Sequence, residues 1–150
     1  MASFKFNGVD YLSAKFEQLA KLSDDDKKSI IMPAAEFLQQ RHIEAIKSTF
    51  IQHTGALAAS IKIAFKSDDN GVYAHVAPTG NHPRSTMGKR NHKGSKQKAA
   101  KNSEIAYVLE HGSPRIKAYH WMEKANDGAA EEMQRIQQDA FDRLLAEKGL

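Results

Sequence analysis

The sequence predicts an α+β domain in which helices flank a small antiparallel sheet. Three observations carry that prediction. Stretches near both ends repeat apolar residues at intervals of three and four, the period of a helix with one buried face. Between them, Ile61, Ile63 and Phe65 alternate with Lys62, Ala64 and Lys66, and Val72, Ala74 and Val76 alternate with Tyr73, His75 and Ala77, the period of half-buried strands. Asn70-Gly71 separates the two runs, and Asn-Gly supplies the positive φ angles that tight hairpin turns need. At 150 residues the expectation is a single domain covering residues 1–150, long enough to bury a core without a metal or disulfide.

A first helix is expected over Val9–Leu22, where Val9, Leu12, Phe16, Leu19 and Leu22 share a face. Ser23-Asp24-Asp25-Asp26 breaks the pattern and offers a cap for a second helix, from about Asp25 to His53, with negative charge at its positive dipole end. Its stripe is Ile31, Ala35, Leu38, His42, Ala45 and Thr49, widened by Ala34, Ile46 and Phe50. Pro33 falls inside this run, and because an interior proline removes a hydrogen bond and clashes with the preceding turn, the reading places it at the first position of the main helix. Thr54-Gly55 opens a short apolar turn of helix that leads into the hairpin, about residues 60–78, ended by Pro78. Residues 79–103 hold Met87 as their one large apolar residue and form a long loop, too long for an ordinary connection in a compact domain. An apolar segment, Ile105 to Leu109, then runs into Glu110-His111-Gly112 and a Gly-Ser-Pro turn. A last helix is expected from about Tyr119 to Lys148, with Met122, Ala125, Ala129, Met133, Ile136, Ala140 and Leu144 on one face.

Charge is distributed unevenly. Residues 1–78 hold nine Lys/Arg and nine Asp/Glu; residues 79–103 hold seven Lys/Arg and no acid; residues 104–150 hold six Lys/Arg and nine Asp/Glu. The basic character of the chain, formally +4, is therefore almost wholly one loop, balanced by an acidic C-terminal region. The chain has no cysteine, which excludes disulfides, thiolate zinc sites and a cysteine nucleophile. No apolar run approaches a membrane span, and the N-terminus lacks the apolar core of a secretion signal, so neither a membrane nor secretion is expected.

Candidate chemistry is sparse. The seven histidines, His42, His53, His75, His82, His92, His111 and His120, include no pair at the i, i+4 spacing of a helical metal site. His111 and His120 bracket the Gly-Ser-Pro turn beside Glu110 and could converge, but ordinary polar or capping roles account for them. Ser103, Ser113 and Thr54 lack a nucleophile elbow, and Gly88-Lys89-Arg90 is too little for a phosphate loop. The expectation is no enzyme, no cofactor and no metal. The basic loop has three readings: phosphate contact, an arm against a neighbouring subunit, or a solvated loop. It has no aromatic ring, which argues against stacking on single-stranded bases. Tyr119 and Trp121, the only tryptophan, are rings of the kind enriched at interfaces, with a core role for Trp121 the alternative.

Three segments in order then carry a resemblance: Thr54-Gly55-Ala56-Leu57-Ala58-Ala59-Ser60-Ile61, Ala106-Tyr107-Val108-Leu109-Glu110-His111-Gly112-Ser113, and Ala118-Tyr119-His120-Trp121-Met122-Glu123-Lys124-Ala125. Together they resemble the small neck and tail-completion (head–tail joining, "putative tail component") family of long-tailed bacteriophages, of which the lambda minor tail protein Z is a distant functional counterpart. Order and spacing match over roughly residues 9–147. Ser113 stands where the family usually has threonine, His120 where proline is common, and Trp121-Met122 where a Phe-Leu pair is usual; the loop is longer than in many members. The resemblance implies a structural virion protein, assembled in the host cytoplasm. It implies a ring of identical subunits, expected as a hexamer, lying between a tail terminator or tail-tube protein and a head-side connector, with genomic DNA passing non-specifically through the channel. On that reading Tyr107, Glu110, Arg115, Tyr119 and Trp121 are expected at an interface. Arg84, Lys89, Arg90, Lys93, Lys96, Lys98 and Lys101 are expected to face DNA or a neighbouring subunit, such as its Glu131-Glu132 region. The second reading is a nucleic-acid-binding module without sequence preference that uses the same loop.

Overall fold

The computed structural model describes Glu17 and residues 20–49, 55–68, 71–82 and 100–149. Six elements follow in chain order: helix α1 (Asp24–Thr49), the single turn α2 (Ala56–Ala59), strands β1 (Ile61–Asp68) and β2 (Gly71–Pro78), helix α3 (Asn102–His111) and helix α4 (Trp121–Glu147). The α+β class is as expected. Of the first expected helix, Val9–Leu22, only Glu17 and residues 20–22 are described; Glu17 and Ala20 are helical. Its apolar face through Leu19 lies outside the described residues, as do residues 50–54 and the hairpin turn at 69–70.

Helix α1 starts on a reciprocal capping pair. The Asp26 N–H donates to Ser23 Oγ at 3.2 Å, and the Ser23 N–H donates to Asp26 Oδ2 at 3.0 Å. Pro33 does not open this helix, contrary to the sequence expectation; it lies inside it. An interior proline costs about 3 kcal/mol. The helix continues because the turns on either side are held by packing. Ala34 and Ala35 directly after it are buried, and Ser29 and Pro33 share a depression with Ala140, Arg143, Leu144 and Glu147 of α4.

Helices α1 and α4 lie antiparallel, as two contacts near their opposite ends show. His42 Nε2 meets Asn126 Oδ1 at 2.7 Å, and Lys148 Nζ meets Asp26 Oδ2 at 2.9 Å. Small residues at the contact, Ala34, Ala35, Ala125 and Ala129, let the two backbones come close.

The hairpin packs on α1. Its register runs from Ile61 opposite Pro78 to Asp68 opposite Gly71. Ile61, Ile63 and Phe65 turn inward from β1, and Val72, Ala74 and Val76 from β2, which is the alternation read from the sequence. A lone two-stranded ribbon is marginal in water, so it depends on this helix for its stability. Gln39 Nε2 ties the two together by donating to the Ile61 carbonyl at 2.7 Å.

The core forms where α1, α2, β1, α3 and α4 meet. Ile46, Leu57, Ala58, Ile61, Ala106 and Trp121 are buried there, flanked by Ile43, Val76, Leu109, Tyr119 and Met122. Trp121 is fully buried and presents to His42 an edge-on ring contact with centroids 5.7 Å apart. Among the described residues, no helix is long and apolar enough to cross a membrane.

Two outcomes test this packing. Trp121→Ala should destabilise the fold by about 3–5 kcal/mol, as for other large-to-small core changes, and denaturant unfolding should show it. Lys148 and Ser23 hold the Asp26 carboxyl below its usual range, with the Lys148 hydrogen bond the largest cause. A depressed carboxylate stabilises the fold above its unfolded-state pKa and loses that contribution as the pH falls through the folded value. The clasp between the helix ends should therefore open on acidification below the usual carboxylate range. In an NMR titration, Lys148→Ala should move the Asp26 midpoint upward.

Candidate functional site

The segment 100–125 carries most of what is unusual in the described structure, and it begins at the base of the basic loop. The His82 N–H donates to the Ala100 carbonyl at 2.8 Å, the Asn102 N–H to the Gly80 carbonyl at 3.0 Å, and Asn81 pairs with Lys101 in an antiparallel bridge. Asn102, almost wholly buried, locks this stem by donating its side-chain amide to the Thr79 carbonyl at 2.7 Å. Residues 79–82 and 100–103 are thus a clamp and the start of a helix rather than free loop, a correction to the expected 79–103 boundary. Lys101 sits on that clamp, exposed, with its N–H donating to Glu104 Oε2 at 3.1 Å. Arg84, Lys89, Arg90, Lys93, Lys96 and Lys98 lie outside the described residues.

Helix α3 is an element the sequence reading left as an apolar segment. Its core-facing residue is Ala106, and Ile105 and Leu109 pack beside it. It stops at Gly112, whose φ of 81° lies in the left-handed region. A Cβ there would stand 2.8 Å from the Ala118 nitrogen and 3.0 Å from the Ile116 carbonyl oxygen, both backbone atoms that cannot yield cheaply. The chain then makes a tight turn in which the Ser113 N–H donates to the Ile116 carbonyl at 2.7 Å.

From that turn the chain runs back against α3, and the two helices cap each other. The Tyr119 and His120 N–H groups donate to the Leu109 and Glu110 carbonyls at 2.9 and 3.2 Å, which satisfies the end of α3. The buried Glu110 carboxylate accepts from the Met122 N–H at 2.7 Å and the Glu123 N–H at 3.0 Å, which satisfies the start of α4. Its negative charge meets the positive end of the helix dipole.

Glu110, His120 and Glu123 each bring a ligand atom within 4.8 Å of the others. His120 takes a left-handed conformation, φ 51°, and its Nδ1 lies 3.3 Å from Glu123 Oε2. Both Glu110 oxygens are committed to backbone N–H groups, and a cation at this point would face the positive pole of α4. The cluster is therefore a helix cap. His111 does not join His120, as the sequence left open; its ring instead lies against that of Tyr107, tilted by 53° with centroids 4.5 Å apart.

The five expected interface residues divide accordingly. Tyr107 is 65% exposed and Arg115 is exposed. Tyr119 is half-buried against the core. Glu110 and Trp121 are buried within the chain's own fold, so neither offers a surface to a partner; this corrects the expectation for Glu110 and, for Trp121, selects the core role that the sequence left as the alternative. The reason is the reciprocal cap: joining α3 to the start of α4 turns both side chains inward. In their place the structure exposes Ile116 and Lys117 beside Arg115, and His111 beside Tyr107. The signal for His111 was its spacing of four from Tyr107, legible only once residues 102–111 are read as a helix.

Comparison of the chain with protein-family models, curated proteins and solved structures finds no match.

Replacing Glu110 separates capping from chemistry. Glu110→Ala leaves two buried N–H groups without their acceptor and should cost about 2–4 kcal/mol. Glu110→Gln keeps one acceptor oxygen and should cost roughly half of that. Equal melting temperatures for both variants and the parent would show that the cap contributes nothing.

Proposed function

We propose that this chain is a structural subunit of the neck of a long-tailed phage, a tail-completion or head–tail joining protein that forms a ring around the DNA passage. One observation supports this reading above the rest. The three segments that carry the family resemblance, the first separated from the other two by 44 residues, meet in one place. Leu57, Ala58 and Ile61 from the first, Ala106 and Leu109 from the second, and Tyr119, Trp121 and Met122 from the third share a single core. The resembling residues are thus those that build the fold and its central cap. Glu110, the most reactive-looking among them, serves as a helix cap.

The clamp gives the basic loop a physical role in such a ring. It holds the ends of a strongly cationic segment at one fixed place on the subunit. In a ring the same place recurs around the axis. Loose phosphate contact of this kind positions DNA without reading bases, and it does not impede passage. The same clamp supports a second reading, a nucleic-acid-binding module that acts as a monomer, with affinity falling steeply as salt rises.

Mass measurement of the purified protein at near-physiological salt distinguishes them. The ring reading expects a closed multiple of the chain, and the second expects a monomer bound to duplex DNA at low salt. Changing Arg84, Lys89, Arg90, Lys93, Lys96, Lys98 and Lys101 to glutamine should leave melting unchanged while impairing head–tail joining or DNA retention. Fully infectious particles with the neutral loop would remove it from the function.

A further inference from the structure

Two exposed faces of this chain carry opposite charge, lie apart, and have key charged groups outside any ion pair among the described residues. The first is at the end where α3 gives way to α4. Tyr107 and His111 meet in a tilted ring contact one turn apart on the outside of α3, and the turn that follows exposes Arg115, Ile116 and Lys117. Tyr107 and Ile116 are two of the three large apolar side chains exposed among the described residues. Neither Arg115 nor Lys117 forms an ion pair there.

The second face is the outer side of α4. Ala125, Ala129 and Leu144 point into the structure, so the 3.6-residue period turns Asp127, Glu131 and Asp142 outward together. All three are exposed, and none is in an ion pair among the described residues, although Asp142 accepts a hydrogen bond from Gln138 Nε2 at 2.8 Å. Of the cations on the same side, Arg135 is paired with Glu132 and Lys124 turns to the Tyr119 carbonyl. At 1.5 Å per residue, Glu131 and Asp142 stand roughly 15 and 32 Å along the helix from the end that the first face adjoins.

We propose that the Tyr107–Lys117 face docks on the acidic outer face of α4 in a second copy of this chain, head to tail. The inference rests on the ring reading above and assigns its contact. Several features favour a second copy as the occupant. The two faces complement each other in charge, yet α4 itself holds them apart within one copy. A contact between two different patches of the same chain is heterologous, and such contacts close into rings when the rotation between copies permits. A tyrosine and an arginine beside a partly exposed isoleucine also have the composition of an energetic centre in an interface. Like charge on either side blocks the wrong pairings: basic face on basic face, acidic on acidic.

A charge-reversal exchange tests the assignment. One variant carries Arg115→Glu with Lys117→Glu, the other Glu131→Lys with Asp142→Lys; far-UV circular dichroism and melting confirm that each folds. Each alone should need at least ten-fold more protein for half-assembly than the parent, measured by sedimentation. An equimolar mixture should regain assembly, because each reversed face then meets its complement in alternate copies. Tyr107→Ala should weaken assembly to a similar degree without reversing any charge. A parent that forms rings together with folded variants that assemble equally well overturns this contact and leaves the ring reading standing. Folded variants whose mixture stays apart overturn it as well. If the Arg115/Lys117 variant assembles normally but loses duplex DNA, the face belongs to nucleic acid and the proposal fails. A parent that is monomeric up to its solubility limit overturns both the ring reading and this contact.

Discussion

The fold turns on one carboxylate. Glu110 sits at the last turn of α3, and both its oxygens hold N–H groups of the first turn of α4. A helix start buried without acceptors would carry several unpaired donors, and a buried carboxylate without donors would be costlier still. Each removes the other's penalty. The returning chain completes the exchange by donating the Tyr119 and His120 N–H groups to the Leu109 and Glu110 carbonyls at the end of α3. Because the two termini complete each other, the angle between α3 and α4 has little freedom, and Trp121, the first residue of α4, is delivered into the core at a fixed place. Gly112 makes the geometry possible, since the backbone passes too close there for any side chain.

What this joint holds together is wider than the joint. Trp121 packs with Ile46 of α1, with Leu57 and Ala58 of α2, and with Ile61 at the start of the hairpin. Every element of the described structure except β2 thus contributes a buried residue to one cluster, and β2 reaches its margin through Val76. At its other end, α4 is tied to the start of α1 through Lys148 and Asp26. The long antiparallel pair is therefore pinned at one end by an ion pair and towards the other by the His42–Asn126 hydrogen bond, with buried alanines between. Pro33 is tolerated in that setting because neither half of α1 depends on the hydrogen bond it removes.

Much of this was legible in the residues. The hairpin's two strands and their inward faces could be read, because alternation of apolar and charged side chains leaves a strand little choice of face, although the strands extend through Ser67, Asp68, Gly71 and Pro78, which the sequence reads as turn and stop. The length of α4 followed from its apolar period, and the Ser23/Asp26 cap from its residue types. Other features had no local signature. Helix α3 is short, and Ile105 to Leu109 reads equally as a strand until its partners are known. Glu110 and Trp121 looked available to a partner because an acid and an aromatic near a glycine turn are usual at surfaces. Their burial depends on the contact between two helices that only the tertiary structure brings together. Pro33 was misplaced for a related reason: local preference argued for a helix start, and packing on both sides overrode it. The clamp beneath the basic loop rests on backbone bonds among Gly80, His82, Ala100 and Asn102, which composition does not reveal.

The same joint explains why the chain presents its charges as it does. Turning Glu110 and Trp121 inward leaves Tyr107 and His111 on the outer surface of the last turns of α3, and it forces the connection into a tight turn whose side chains, Arg115, Ile116 and Lys117, face solvent. A subunit that needed only to be stable would gain by covering Tyr107 and Ile116 with its own chain, since each exposed ring or branched side chain forgoes roughly 1.5–3 kcal/mol of burial. Asp127, Glu131 and Asp142 on the outer side of α4 likewise contribute little to the fold, being exposed and outside any ion pair among the described residues. Both features become useful only between copies. There the aromatic and apolar surface is covered, and the charges select which face meets which. The cost is paired with control: a contact built on screened surface charge forms and yields with ionic conditions, whereas the reciprocal cap inside each subunit is shielded from them. A rigid interior joint beneath an adjustable exterior suits a part that must assemble in order with its neighbours while keeping its own shape.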